Sequence, residues 1–312
     1  MRIKVLPLAL SCMIASSPAY ADQEKPSIDA KSRADALLKE NEKPGHPGCA
    51  VGVYQNGDTL YEGAYGLANV EHSVPIDPQR TVFNIASVSK QFTAASILLL
   101  VQDGKLKLDD DIRKYLPEIP DYGHTITIEH LLHHTSGLRD YTVLWWMAGK
   151  TFWNYGSDEE ALDLLSRQTA LGFTPGSKFA YSNTGYFLMS VIVQRVSEKS
   201  LADFAHERIF TPLNMKSTYF QDHLGRVTPH HASAYVPADE DTFINRVTGW
   251  DLYGDDGLNT TVGDLAKWQR NFDAPNVGGA WLIQQLEQRG VLNNGEEIEY
   301  ARGLEVNDKG YR

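Results

Sequence analysis

Residues 83–104 read FNIASVSKQFTAASILLLVQDG. Val88, Phe92, Ala95, Leu98 and Leu99 recur at three- and four-residue spacings, Ala94 and Ala95 favour helix, and Gly104 follows Asp103 as a stop. The stretch therefore predicts a helix. Ile97 to Val101 makes it apolar nearly all round, which puts it at the centre of the molecule. Near its start Ser87 and Lys90 stand three residues apart, and residues i and i+3 of a helix share a face. A serine at a helix N-terminus meets unpaired backbone N–H groups and the positive end of the dipole, both of which suit a developing oxyanion. A lysine one turn into an apolar helix is costly to bury without a task or a partner. Burial disfavours the charged form, and the neutral amine is the form a general base needs. Ser87 and Lys90 are thus a candidate nucleophile and base, although S-x-x-K alone also fits a plain N-cap followed by a helix lysine.

Upstream, Gly48 to Val53 and Thr59 to Tyr65 are β-rich runs joined at Asn56-Gly57-Asp58, which predicts an antiparallel hairpin. A loop with Pro75 and Pro78 leads on to Phe83, so the nucleophile is expected at a sheet-to-helix junction. Asp22 to Gly45 is polar, with an amphipathic patch around Ala34 to Leu38 that reads as a peripheral helix. Residues 1–21 read as a signal peptide and not as part of the fold. Arg2 and Lys4 form a positive start, Val5 to Ala15 is apolar, and Ala19-Tyr20-Ala21 is a small-x-small cleavage site. The apolar run is shorter than the roughly 18 residues a membrane span needs. Ala9-Leu10-Ser11 before Cys12 is a poor lipidation signal. The expectation is an exported, periplasmic or secreted protein without stable membrane insertion.

Removing Arg2 and Lys4 from the 29 basic residues leaves 27 against 40 acidic ones, a net charge of −13. Such a chain has no electrostatic footprint for nucleic acid. Cys49 is the one cysteine beyond the signal, so the core is held by packing and not by an internal disulfide.

Beyond Gly104 helices and loops dominate. Thr127 reads as an N-cap with His130 at the fourth place and Gly137 as a stop. His130, His133 and His134 have metal-like spacing but lack an H-E-x-x-H order and a third ligand, so they read as packed or hydrogen-bonding groups with no metal. His230-His231 reads as a loop pair, and Asp109-Asp110-Asp111 as a solvated acidic turn. Tyr141, Trp145, Trp146 and Trp153 fit a cleft wall and core packing equally. After the turn at Pro175-Gly176, Leu188, Ile192, Val193 and Val196 mark a helix capped by Asn183 or Thr184 and running to about Lys199. Tyr181 and Asn183 precede it two residues apart, a spacing that puts both on one side of an extended segment. A phenol and a carboxamide facing one cleft supply a proton relay and an amide-reading hydrogen bonder.

S-V-S-K at Ser87 to Lys90, with Y-S-N at Tyr181 to Asn183, resembles the serine β-lactamase and penicillin-recognising peptidase superfamily. The branch it is most similar to contains class C β-lactamases, D-Ala-D-Ala carboxypeptidases and related esterases. PGCAVGVYQNG, ITIEHLLHHTSGL, IFTPLNMKSTYF and GDDGLNTTVGDLAKW extend the likeness over most of residues 45–270. The resemblance implies an α/β (α+β) fold: an antiparallel sheet flanked by helices, about 45–100 and 280–312, with a mostly helical insertion, about 101–279. It implies catalytic roles for Ser87, Lys90 and Tyr181, substrate binding by Asn183, and no cofactor. Substrates would be a β-lactam, a D-amino-acid peptide or a small ester.

The third motif of that family, Lys or His, then a small residue, then Gly, is not found. Lys309-Gly310 reads as a turn, and Tyr300 to Val306 as one strand of the sheet. The expectation is a domain of residues 22–312 that lacks its C-terminal strands. Two classes stay open: an exported serine hydrolase working through an acyl-enzyme, or a penicillin-binding, sensor-like relative or remnant that is acylated without turnover.

Overall fold

The computed structural model describes residues 28–39, 43–309 and 312, so the signal peptide expected over residues 1–21 lies outside the described residues. The hairpin forms as the sequence predicts. Cys49–Gln55 pairs antiparallel with Asp58–Tyr65, from Cys49 opposite Tyr65 to Gln55 opposite Asp58. Asn56 and Gly57 both have positive φ, 53° and 85°, the conformation a two-residue turn needs to follow the strand twist. The helix Ile28–Lys39 packs on the second strand and the helix Val262–Asp273 on the first. Tyr61 ties the outer helix down by donating to Asp35 Oδ1 at 2.8 Å.

A second antiparallel sheet has Leu258–Thr260 in the middle, with Phe83–Asn84 on one side and Tyr219–Phe220 on the other. From Phe83–Asn84 the chain enters the central helix, which differs from its prediction at one end. Residues 86–89 form a 3-10 turn, and the α-helix runs Lys90–Gln102. Its far end closes as expected. Gly104, at φ 69°, donates to Val101 O and Lys105 donates to Leu100 O, so the orphan carbonyls of the last turn are satisfied.

Every residue from Phe92 to Leu100 in this helix is buried, and the helix Asn183–Ser197 packs along it. Phe92 meets Trp268 at 4.7 Å and Phe210 at 5.7 Å between ring centroids. Leu98 is fully buried. Cutting it to alanine would cost about 2–5 kcal/mol through lost transfer energy and a cavity.

The Thr127 cap is a reciprocal capping box: Thr127 Oγ1 accepts His130 N–H, and His130 Nδ1 accepts Thr127 N–H, both at 3.2 Å. The Asp109–Asp111 turn is more organised than a solvated loop. Asp110 accepts from Lys107 N–H, Tyr115 and Lys114, and Asp111 from Arg113.

Tyr300–Val306 is not a strand. It is a turn closed by a bridge between Tyr300 and Glu305, with Gly303 at φ 85°. Among the described residues, 280–312 add no strand to the hairpin. They contribute most of the helix Gly279–Leu286 and a segment that packs on the start of the central helix. The reason is tertiary: a Cβ on Gly303 would sit 2.8 Å from Lys90 O, so the backbone there lies in close contact with the start of the central helix.

Candidate active site

The site starts where the Phe83–Asn84 strand ends. Asn84 lies opposite Asn259, and Ile85 N–H donates to Leu258 O at 3.0 Å. Ala86 then takes a left-handed φ of 45°, strained for a residue with a Cβ, and is held by its N–H donating to Asn84 Oδ1 at 2.8 Å. This kink pushes Ser87 into solvent while Ser89 turns inward and is fully buried.

Lys90, 1% exposed, gathers the site. Its Nζ lies 3.1 Å from Ser87 Oγ, 3.0 Å from Asn183 Oδ1 and 2.7 Å from the Asp255 carbonyl, within hydrogen-bond reach of all three. The Tyr181 ring centroid lies 4.9 Å from the same nitrogen. Ser87, Lys90, Tyr181 and Asn183, predicted from sequence, therefore meet around one atom. Thr93 Oγ1 adds a bond to Gly254 O at 2.7 Å, fastening the first turn of the helix to the 254–258 loop.

Asn183 is the first residue of its helix, with Ser182 in the cap position, and its side chain turns to Lys90 instead of capping. The helix ends at Ser197, where Glu198 takes φ 59°, slightly short of the expected Lys199. Asp140, the cap of the helix Tyr141–Met147, accepts Asn183 N–H at 2.5 Å. Thr184 Oγ1 accepts Tyr141 N–H at 2.8 Å. The two helix starts are thus stitched together.

Three further residues, one of them read from sequence only as a packed or hydrogen-bonding histidine, join the site. His134 is buried, accepts Ser182 N–H at Nδ1 (3.2 Å) and lies 4.4 Å from the Tyr181 ring. Burial and then Lys90 push its pKa down to about 3, so it is neutral. Asp255 supplies the carbonyl under Lys90, and its buried carboxyl accepts the Tyr141 hydroxyl at 3.0 Å. Burial, then the neighbouring Asp256, raise its proton affinity. Tyr300 packs on His134 at 4.5 Å and on Tyr181 at 6.3 Å. No local signal marks these roles, since each partner is remote in sequence.

The histidines do not converge on one point. His130 caps its helix, His133 Nε2 lies 3.1 Å from Gln288 O, and His134 faces Tyr181; among the described residues no metal-ligand cluster forms. The aromatic stretch divides. Tyr141 and Trp145 are core, while Trp146 and Trp153 are exposed. A groove of about 780 Å³ lies elsewhere, between residues 68–81 and His230-His231. Its lining includes none of the four residues around Lys90, so chemistry and not volume marks the site.

The architecture is that of the β-lactamase/transpeptidase fold. It matches the octameric penicillin-binding protein homologue from Pyrococcus abyssi with a TM-score of 0.76 at 27% identity, covering 88% of this chain and 64% of that one. The chain belongs to the beta-lactamase family, whose family model matches residues 34–312. It is 34% identical over 262 residues to a penicillin-binding protein of Bacillus subtilis, covering 80% of this chain and 57% of the relative. It is 30% identical over 279 residues to a D-aminopeptidase of Gluconobacter oxydans, covering 89% and 52%. The chain thus spans little more than half the length of these two relatives.

Proposed function

We propose that this chain is a serine hydrolase that forms an acyl-enzyme on Ser87 and acts on peptides or amides of D-amino acids. The observation that carries the reading is the buried Lys90 Nζ, within hydrogen-bond reach of both Ser87 Oγ and Asn183 Oδ1. Lys90 takes the Ser87 proton as the oxygen attacks the carbonyl carbon. Tyr181, beside the same amine, gives its proton to the leaving nitrogen as the C–N bond breaks and regains one from Lys90, which returns the amine to its neutral form. Asn183 binds the amide carbonyl of the substrate by donating from Nδ2, while its Oδ1 keeps the contact with Lys90. The N–H of Ser87, an exposed residue of the 3-10 turn, serves as one oxyanion donor. Water then hydrolyses the ester through the same pair of groups. The choice of D-amino-acid substrates over β-lactams and simple esters rests on the relatives named D-aminopeptidase and on the D-amino acid amidase from Ochrobactrum anthropi. The latter aligns at 26% identity with a TM-score of 0.67.

The test is labelling of the full chain by a fluorophosphonate and by a fluorescent penicillin, with the modified residue found by mass spectrometry. Label on Ser87, and none in Ser87→Ala, is the expected result; label elsewhere overturns the reading. Turnover of a D-alanine amide beyond one equivalent supports the hydrolase. A burst without turnover supports the penicillin-binding alternative.

We also propose export, on the Arg2/Lys4 start, the apolar run and the Ala19-Tyr20-Ala21 site. No helix among the described residues is long and apolar enough to cross a membrane. A secreted form beginning at Asp22 is the expected product, and one retaining Met1 would refute it.

A further inference from the structure

We infer that His134 is a positioning residue that holds Tyr181 in place to pass its proton at Lys90; the inference rests on the acyl-enzyme reading above. His134 grips three consecutive residues by three different means. Its carbonyl accepts Ala180 N–H at 3.0 Å, its Nδ1 accepts Ser182 N–H at 3.2 Å, and its ring lies against the Tyr181 ring between them, at 4.4 Å and 36°. N–H groups two residues apart point the same way only when the chain is extended. The paired bonds therefore impose the extended geometry that sends Tyr181 and Asn183 to one side. Tyr181 is 47% exposed, so its ring lacks the all-round packing that would fix a rotamer. The imidazole supplies one rigid wall, and Tyr300, edge-on to His134, supports it from behind.

The chemistry of the imidazole fits this role and no proton-transfer role of its own. To accept at Nδ1 the ring must carry its proton on Nε2, and that nitrogen is buried without a hydrogen-bond partner. Burial disfavours a charged imidazole, and the groups around it are Lys90, His133, Tyr181, Tyr186 and Tyr300. Its backbone pays for the placement, since His134 holds φ 57°, a left-handed value uncommon for a residue with a side chain.

The deciding experiment uses two probes on the full chain. A penicillin needs its lactam nitrogen protonated as the C–N bond opens, whereas a fluorophosphonate releases fluoride and needs no such proton. His134→Asn keeps a short acceptor and tolerates left-handed backbone but removes the ring. Penicillin acylation should slow about tenfold, consistent with a misplaced proton donor, with fluorophosphonate labelling of the folded variant less affected. In a Tyr181→Phe background the same change should alter the rate by less than about twofold, because the group it positions is gone. His134→Phe, which keeps the ring and drops the acceptor, goes through the same cycle and guards against a folding failure of the first variant. Wild-type rates in both variants, or an undiminished loss in the Tyr181→Phe background, would overturn the inference. A wild-type chain that neither probe labels at Ser87 would instead refute the acyl-enzyme reading.

Discussion

Ser89 Oγ accepts the Leu258 N–H at 3.0 Å and donates its own proton to the Ala86 carbonyl at 2.5 Å. One buried hydroxyl thus bolts the kinked turn carrying Ser87 to the middle strand of the second sheet.

Ser89→Ala strips the buried Leu258 N–H of its side-chain acceptor and should cost about 1–3 kcal/mol. Labelling of Ser87 should slow but persist. Ser87→Ala, at an exposed position, should change stability by no more than about 0.5 kcal/mol and abolish labelling. Urea melts and fluorophosphonate labelling read both. Equal stability of Ser89→Ala and wild type would show that the bolt carries no load.

Arg302 NH2 pairs with Glu129 Oε1 at 2.7 Å and Oε2 at 3.0 Å, but the two side chains differ in exposure, 2% against 33%. Glu129→Ala leaves a buried guanidinium short of its counter-charge and should cost about 3–5 kcal/mol. Arg302→Met leaves a carboxylate that water can reach, and should cost less. Denaturation midpoints in the reverse order would contradict this account of the pair.

Gly303 and Gly295 share a φ of 85°, yet a Cβ on Gly303 meets Lys90 O at 2.8 Å and Gln91 N at 2.9 Å, while one on Gly295 meets nothing within 4 Å. Gly295→Ala should therefore show only the left-handed backbone cost, about 1–2 kcal/mol. Gly303→Ala should lose more and also slow acylation, because the clash falls on the residue that holds Ser87. Matching losses in both variants, with labelling untouched, would argue against a role for the 300–304 segment in the site.

Asp158, partly buried at the start of its helix, has an Oδ1 with no hydrogen-bond partner, and its pKa is pushed up to about 7 by burial, then by Glu159 and Asp251. The unfolded value is about 3.9, so between those limits the folded state binds more protons than the unfolded one. Stability from this group is therefore fully present below about pH 4, falls as pH rises to about 7 and is flat above. Asp158→Asn should flatten that fall and melt higher than wild type at pH 8. An unchanged slope of melting temperature between pH 4.5 and 8 would count against it.

Local chemistry was readable wherever one short stretch contained the whole cause. Asn56-Gly57 fixed the hairpin turn, Thr127 with His130 made the capping box, and Gly104 closed the central helix, because in each case partners lie within a few residues. The start of that helix was not readable. Ala86 is strained by pairing with a strand about 170 residues downstream, and no propensity of Ala, Ser or Val reports that. Tyr300–Val306 was misread as a strand for the same kind of reason: its alternation is ordinary, and its conformation is set by Gly303 lying against Lys90 and by Arg302 reaching Glu129.

By itself the sequence determined the buried helix, the Ser87–Lys90 spacing and the Tyr181–Asn183 pair, since helical and extended periodicities decide which side chains share a face. That these two pairs meet at one amine was decided by the tertiary structure. So were the Asp255 carbonyl beneath Lys90 and the His134 ring behind Tyr181. Contacts across 47 to 165 positions depend on how helices and strands pack, and packing is a property of the whole core and not of any window of the chain.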